Sequence, residues 1–275
     1  MNVKKEQHMI VSELEEFHFQ ALQGMYFNNI KKMNGYLLLS SNYITDNYWN
    51  YAAKIDQNFD DIWSDIVSEM NSINRTPTIY ITPTSFCFNK KLPLKKIYKD
   101  AWLVWDTSNI IQIVEDSSVD IMFQQSPVNI EFEKQFVEIF KQAYGGSSDD
   151  DPYGQLPSTY THALSNGLNM ELMHSEYEFT HILLMKDKIP VSIATGIISK
   201  KKKICGIYNV GTNPQYRKSG FGTRATLSIV QKCLSEGIDS VFLNTEYSSG
   251  VHQWYEKMGF RTAFVGTCYG VNHEK

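Results

Sequence analysis

Residues 210–223, Val-Gly-Thr-Asn-Pro-Gln-Tyr-Arg-Lys-Ser-Gly-Phe-Gly-Thr, constrain this chain more than any other stretch. An apolar run ends at Val210, and a polar connector carrying Pro214 follows. Gly220 and Gly222 then open a helical pattern of Ala225, Leu227, Val230, Cys233 and Leu234. Strand, polar loop, glycines and helix together aim backbone N–H groups and a helix N-terminus at an anion. Glycine lacks a Cβ, so a diphosphate can approach the main chain, and Arg217 and Lys218 add positive charge. Two plainer readings compete. One is a turn with a glycine helix start. The other is a dinucleotide loop, because residues 220–225 fit G-x-G-x-x-A and Glu246 follows a second apolar run.

Spacing weighs against the dinucleotide loop, which turns tightly straight after its strand and opens a βαβ unit. Here many polar residues separate Val210 from Gly220, and the motif comes late in the chain. Arg-x-x-Gly-x-Gly over residues 217–222 resembles the coenzyme A pyrophosphate loop of the GNAT superfamily of acetyl-CoA-dependent N-acyltransferases. Residues 240–245 read as the next strand. A short helix then ends in Tyr255-Glu256-Lys257-Met258-Gly259-Phe260, which resembles the second signature of that superfamily. The two motifs stand in the family's order and separation, and the resemblance covers roughly the C-terminal half.

The resemblance implies an α/β (α+β) fold of GNAT type: a mixed, mostly antiparallel sheet flanked by helices. It implies that the pyrophosphate rests on the amides of Lys218, Ser219, Gly220, Phe221, Gly222 and Thr223, beside Arg217. The pantetheine arm would run along Val210, Gly211 and Thr212 like an added strand. An amide near Val210 would donate to the thioester oxygen, and Tyr255 would protonate the departing thiolate. The chain departs from the pattern in three places. Thr212 stands where an aliphatic residue is usual. Ser248 replaces an Asn, seven residues before Tyr255, that often touches the cofactor. Leu243 stands where some relatives place a general-base Glu, twelve residues before the tyrosine. Glu246 is the nearest upstream carboxylate and the candidate base; the competing reading is a surface charge. His252, three residues before Tyr255, shares its helix face on this spacing and is expected to be exposed. No Cys or Ser lies in a nucleophile signature, so the amine is expected to attack acetyl-CoA directly.

A formal charge of −4 argues against a general nucleic-acid or anionic-membrane binder. With 42% hydrophobic and 13% aromatic residues, a packed core is feasible. No apolar run approaches a bilayer span, and no apolar stretch follows the basic residues near the start, so the expected location is cytoplasmic. Cys87, Cys205, Cys233 and Cys268 form no C-x-x-C pair and read as reduced, mostly buried thiols, with no metal expected.

Two domains fit 275 residues. Residues 1–117 read as a smaller α/β domain, compatible with a degenerate GNAT-like unit without a cofactor loop, and residues 118–275 as the GNAT domain. In the first, residues 9–33 are expected to be helical with a stripe of Ile10, Leu14, Phe17, Leu22 and Met25. Residues 35–40, 78–82 and 101–106 are expected strands. Residues 48–53 are expected to start a helix, and a further helix opens at Asp60 and Asp61. Tyr48, Trp49 and Tyr51 form an aromatic cluster that reads as core, with a ligand pocket as the alternative. In the second, strand 119–123, an Asn129-capped helix and a helix over 158–168 precede strands 177–185, 189–198 and 204–210, and the last strands fall within 261–270. Lys200, Lys201, Lys202 and Lys203 read as a solvated hairpin tip. Asp149, Asp150 and Asp151 read as a solvated loop, or as an acidic rim for a cationic amine. The expectation is an N-acetyltransferase acting on a primary amine. The alternatives are a non-catalytic acyl-CoA-binding or partner-binding protein and a dinucleotide-binding protein. Acceptor and oligomeric state are open.

Overall fold

The computed structural model describes residues 3–85, 94–111, 113, 116–145, 156–171 and 176–271. In chain order the elements are α1 (Val3–Ala21), β1 (Asn29–Lys32), β2 (Leu37–Ser40), β3 (Tyr51–Ala53), α2 (Phe59–Ser72), β4 (Thr78–Ile81), β5 (Leu94–Trp105), β6 (Val119–Gln125), α3 (Ile130–Tyr144), α4 (Ser158–Leu168), β7 (Glu178–Lys186), β8 (Ile189–Ser199), β9 (Ile204–Thr212), α5 (Phe221–Ser235), β10 (Ser240–Glu246), α6 (Gly250–Met258) and β11 (Phe260–Val271). They pack as two units, Met1–Leu103 with Asn244–Lys275, and Val104–Leu243. Division by packing is a different quantity from the 117/118 boundary read from the sequence. Among the described residues no helix is long and apolar enough to cross a membrane.

In the first unit the strands run β1-β2-β3-β4-β11-β5. The pairs β1–β2, β2–β3 and β4–β11 are antiparallel. α2 lays Phe59, Ile62, Ile66 and Met70 on Leu38, Ala52 and Ile79 of this sheet. Burial of each such side chain contributes about 1.5–3 kcal/mol before entropy is counted. Its start follows the expectation: Asp60 and Asp61 occupy the first turn, where the helix dipole favours acids. Trp49 stacks on Tyr26 at 4.3 Å, and both Trp49 and Tyr51 are buried, which is the core reading of that cluster.

Four local expectations are corrected. The first helix ends at Ala21, because the chain turns at Gly24 with φ 88°. Asn29–Lys32 is a strand, and Ile10 is exposed while Val11 faces the core. Residues 51–53 form β3 rather than a helix; a short apolar run does not reveal its period, and pairing with β2 decides it. Phe260–Val271 is one continuous strand, not several.

In the second unit the order is β10-β9-β8-β7-β6, with β9–β10 parallel and the other pairs antiparallel. This is the mostly antiparallel sheet expected. Asn129 caps α3 by accepting from the Phe132 amide at 2.9 Å, a contact that contributes about 1 kcal/mol. Phe132, Phe136, Ile139 and Phe140 of α3 pack with Leu164 and Leu168 of α4 over Leu183 and Ile193 of the sheet. α5 covers the opposite face, because a Cβ on Gly196 would point at Ile229 and Gly196 has the opposite strand parity to Ile193. The lysine tip is tied by ion pairs from Lys200 to Glu178 and from Lys203 to Asp239. Cys205, Cys233 and Cys268 are buried free thiols. Cys87 and the acids Asp149, Asp150 and Asp151 lie outside the described residues.

Candidate active site

The second unit gathers the 210–223 stretch. β9 pairs with β8 in register until Tyr208 faces Thr195; the next pair is Gly211 with Ile193. Asn209 and Val210 therefore oppose the single residue Ala194, which is a β-bulge, and the ladder is interrupted there. Asn209 takes φ 54°, a left-handed conformation that Asn tolerates better than other side chains. Side chains fix three successive residues. Asn209 Nδ2 donates to Thr195 Oγ1 at 3.3 Å, the Tyr144 hydroxyl donates to the Val210 carbonyl at 2.8 Å, and the Ser192 hydroxyl donates to the Gly211 carbonyl at 2.8 Å. The Ser192 proton is thus committed, so Thr212 Oγ1, 2.9 Å away, donates to Ser192 Oγ. The hydroxyl that departs from the family pattern is absorbed inside the strand pair.

Beyond β9 the connector is built, not slack. Asn213 accepts from the Gln215 amide at 3.0 Å and donates to Gln142 Oε1 at 2.7 Å. A 3-10 turn over Pro214–Tyr216 follows. Arg217 donates to the Ala143 carbonyl at 2.9 Å, so its guanidinium ties down the C-terminal end of α3. Lys218 at φ 63° and Gly220 at φ 83° turn the chain into α5. Gly220 is the N-cap and has no side chain to accept from the amides of the first turn. Those orphan donors and the helix dipole are the physical basis of an anion site. Lys218 and Ser219 are exposed beside it, Gly222 and Thr223 are half-buried, and Phe221 is buried.

The remaining candidates lie in the first unit. Glu246 is exposed at the end of β10, and Ser248 is exposed with φ 64°. Ser249 caps α6, accepting from the His252 amide and donating to the Glu246 carbonyl. Tyr255 is buried, its ring 4.6 Å from Trp254 and 5.8 Å from Phe260. His252 shares that helix face but is buried, not exposed as expected. Its Nδ1 accepts from the Ser248 amide at 3.1 Å, and its Nε2 meets Thr262 Oγ1 at 2.8 Å. Two buried acids of this unit carry shifted pKa values. Burial lifts Asp100 to about 7 although Tyr80 donates to it, and burial lifts Glu15 to about 7. A cavity of about 350 Å³ elsewhere in this unit touches Arg75, but that guanidinium is spent on Asn50 and on the carbonyls of Ser41, Ile73 and Asn74.

Sequence reasoning missed Asn209, Tyr144 and Ser192. The one available signal was an Asn interrupting the apolar run before Val210; Tyr144 and Ser192 come from distant elements.

Residues 135–260 match the family model described as Acetyltransferase (GNAT) family. No curated protein matches the sequence. Among solved structures the chain is similar to a GCN5-related N-acetyltransferase from Kribbella flavida, with TM-score 0.64, 12% identity, and 97% of this chain and 96% of that one covered. It is similar to a functionally unknown conserved protein from Staphylococcus epidermidis, with TM-score 0.62, 11% identity, and 88% and 92% covered. A tandem GNAT protein from the clavulanic acid biosynthesis pathway aligns with TM-score 0.56 and 10% identity, covering 80% of this chain and 74% of that one. At these identities the likeness is one of fold, and it is consistent with a degenerate GNAT-like N-terminal part. Together with the family match and the mostly antiparallel, helix-flanked sheet, it identifies residues 135–260 as a domain of the acetyltransferase (GNAT) family.

Proposed function

We propose that the protein is an N-acetyltransferase that moves the acetyl group of acetyl-CoA to a primary amine by direct attack, with residues 118–275 as its catalytic domain. The observation that carries the reading is the built loop of residues 213–220, which ends in an uncapped α5 N-terminus. The pyrophosphate would rest on the amides of residues 218–223, with Lys218 adding charge. The pantetheine arm would follow Val210, Gly211 and Thr212. The Val210 amide would donate to the thioester oxygen, and a preorganised donor of this kind contributes about 3–4 kcal/mol to the transition state.

In the reaction the amine nitrogen bonds to the acetyl carbon, the carbon–sulfur bond breaks, and the amine loses a proton. Tyr255 would give its phenolic proton to the departing thiolate, since a phenol holds that proton at neutral pH. Glu246 is the candidate acceptor of the amine proton, directly or through water, and Ser248 a candidate cofactor contact.

A second reading, acyl-CoA binding without turnover, is favoured by one feature: buried Leu243 stands where some relatives carry a base. The dinucleotide reading loses support, because the connector and the 3-10 turn separate β9 from Gly220.

Calorimetric titration of acetyl-CoA, coenzyme A and NAD tests the proposal, with Gly220→Glu as control. Binding of acetyl-CoA that the control abolishes supports it and opens an amine screen by thiol release. NAD binding in its place, or no coenzyme A binding, sinks it.

A further inference from the structure

We propose that a row of side chains, Ser126, His181, Thr195 and Asn209, is the device that positions the β9 bulge, with His181 as its central coupler. The catalytic consequence rests on the acyl-transfer reading above; the positioning role does not.

The protons of this row have one consistent arrangement. The Ser126 hydroxyl donates to the Gly167 carbonyl at 2.8 Å, which uses its only proton. His181 Nε2, 2.9 Å from Ser126 Oγ, must then be the donor in that pair. The other ring nitrogen, Nδ1, is left unprotonated and accepts from Thr195 Oγ1 at 3.1 Å. Thr195 Oγ1, having given its proton, accepts from Asn209 Nδ2 at 3.3 Å. Every bond therefore points the same way, from the carboxamide at the bulge to the carbonyl at the end of α4, and such chains polarise one another.

The row crosses β7, β8 and β9 on the face that α3 covers. His181 and Thr195 are wholly buried, and the imidazole lies edge-on to Phe136 at 5.6 Å with Phe179 beyond. Burial alone pushes His181 down to about 3, so the ring stays neutral and the arrangement holds at working pH. Burying polar side chains is costly where apolar ones would pack, so a satisfied polar row needs a structural reason. The reason lies at its end. Asn209 holds φ 54°, a left-handed conformation that Asn adopts more readily than other side chains and that its bond to Thr195 fixes in place, and Asn209 sets the direction of the next amide, that of Val210. His181 and Thr195 act through Asn209 and are positioning residues, not catalytic ones.

The test compares Thr195→Val, Thr195→Ser and Asn209→Gly with the wild type by nitrogen-15 NMR. In the wild type the His181 imidazole is expected to be the Nε2-protonated neutral tautomer throughout a titration across neutral pH. Thr195→Val removes the donor to Nδ1 and the anchor of Asn209, and amide exchange over residues 209–211 should rise about tenfold or more. Thr195→Ser should restore wild-type exchange. Asn209→Gly accepts the left-handed conformation without strain; it keeps the fold, frees the bulge in the same way, and carries the test if Thr195→Val does not fold. With acetyl-CoA and an amine found by screening, Thr195→Val should lower kcat about tenfold while acetyl-CoA affinity stays within about twofold. Unchanged exchange in both Thr195→Val and Asn209→Gly, or an imidazole that titrates across neutral pH, overturns the positioning role. These two readouts need no acceptor, so failure of acetyl-CoA to bind would count against the acyl-transfer reading and not against the row.

Discussion

Replacing Gly220 by Ala isolates backbone conformation from packing. Gly220 sits at φ 83° and ψ −2° as the N-cap of α5. A Cβ built on it would find nothing within 4 Å, so the substitution meets no neighbour. What remains is the left-handed conformation itself, which costs an L-residue about 1–2 kcal/mol. In a chain of this size each kcal/mol moves Tm by about 2–4 °C, so Gly220→Ala should lower it by about 2–8 °C. Asn adopts that conformation more readily, and Gly220→Asn should recover about half of the loss. The first-turn amides turn with the cap, so acetyl-CoA affinity should fall in the same order, Ala below Asn below Gly. Gly220→Glu adds a carboxylate at the proposed pyrophosphate position. It should lose binding far beyond its stability cost. Urea denaturation with parallel calorimetry measures both quantities. If Ala stays within about 0.3 kcal/mol of the wild type, or Asn costs as much as Ala, the loop is not held by this conformation and the argument fails.

Gly211→Ala should fail for the opposite reason: its Cβ would lie 2.8 Å from the Ala143 Cβ and 3.3 Å from Ile193, and overpacking of this kind costs about 1–3 kcal/mol. An Ala variant as stable as wild type in urea would contradict the spacing of α3 over β9. Tyr255→Phe should lower turnover with little change in acetyl-CoA affinity, and a variant that keeps full activity at every pH would remove Tyr255 from the mechanism. Asp100, raised from 3.8 to about 7, keeps a proton in the folded state that the unfolded chain releases; its contribution to stability is full below the unfolded value and falls as pH rises through that window. Asp100→Asn should therefore flatten the decline in unfolding free energy between about pH 4 and about pH 7, leaving the part due to Glu15, which is shifted the same way. Identical slopes for variant and wild type would refute the assignment.

The sequence carried the C-terminal architecture well because its elements announce themselves locally. Asn129 before the Phe132, Phe136 and Phe140 stripe, and Ser158 to Leu168 as a helix, need no tertiary information. The same was not true of Tyr51–Ala53, where a short buried run has no readable period and only its partners in β2 make it a strand. The sequence predicts an exposed His252, as a polar residue on a short helix usually is. Its burial depends on Thr262, on the following strand, and on the Ser248 amide, on the preceding loop. The loop glycines were legible, since φ 83° at Gly220 is a demand on residue type. The bulge was not legible, since its supports, Tyr144, Ser192 and Thr195, come from α3 and β8, and no spacing rule links them to Val210.

The groups that hold the bulge bear on how activity should depend on pH. Asn209, Thr195 and Ser192 do not titrate, Tyr144 holds the Val210 carbonyl as a protonated phenol, and His181 is pushed down to about 3 by burial with no charge beside it among the causes of its shift. The bulge should keep one geometry from mildly acid to mildly alkaline solution. A bell-shaped or sigmoidal rate profile in that range must then come from the acceptor amine, which has to be neutral to attack, or from groups outside the bulge. Changing the acceptor discriminates between these. If the midpoint follows the amine's own pKa across a series of acceptors, no protein group limits the profile. If it stays fixed while the amine varies, a protein group does, and Glu246→Gln should then abolish that limb or eliminate Glu246 as the base.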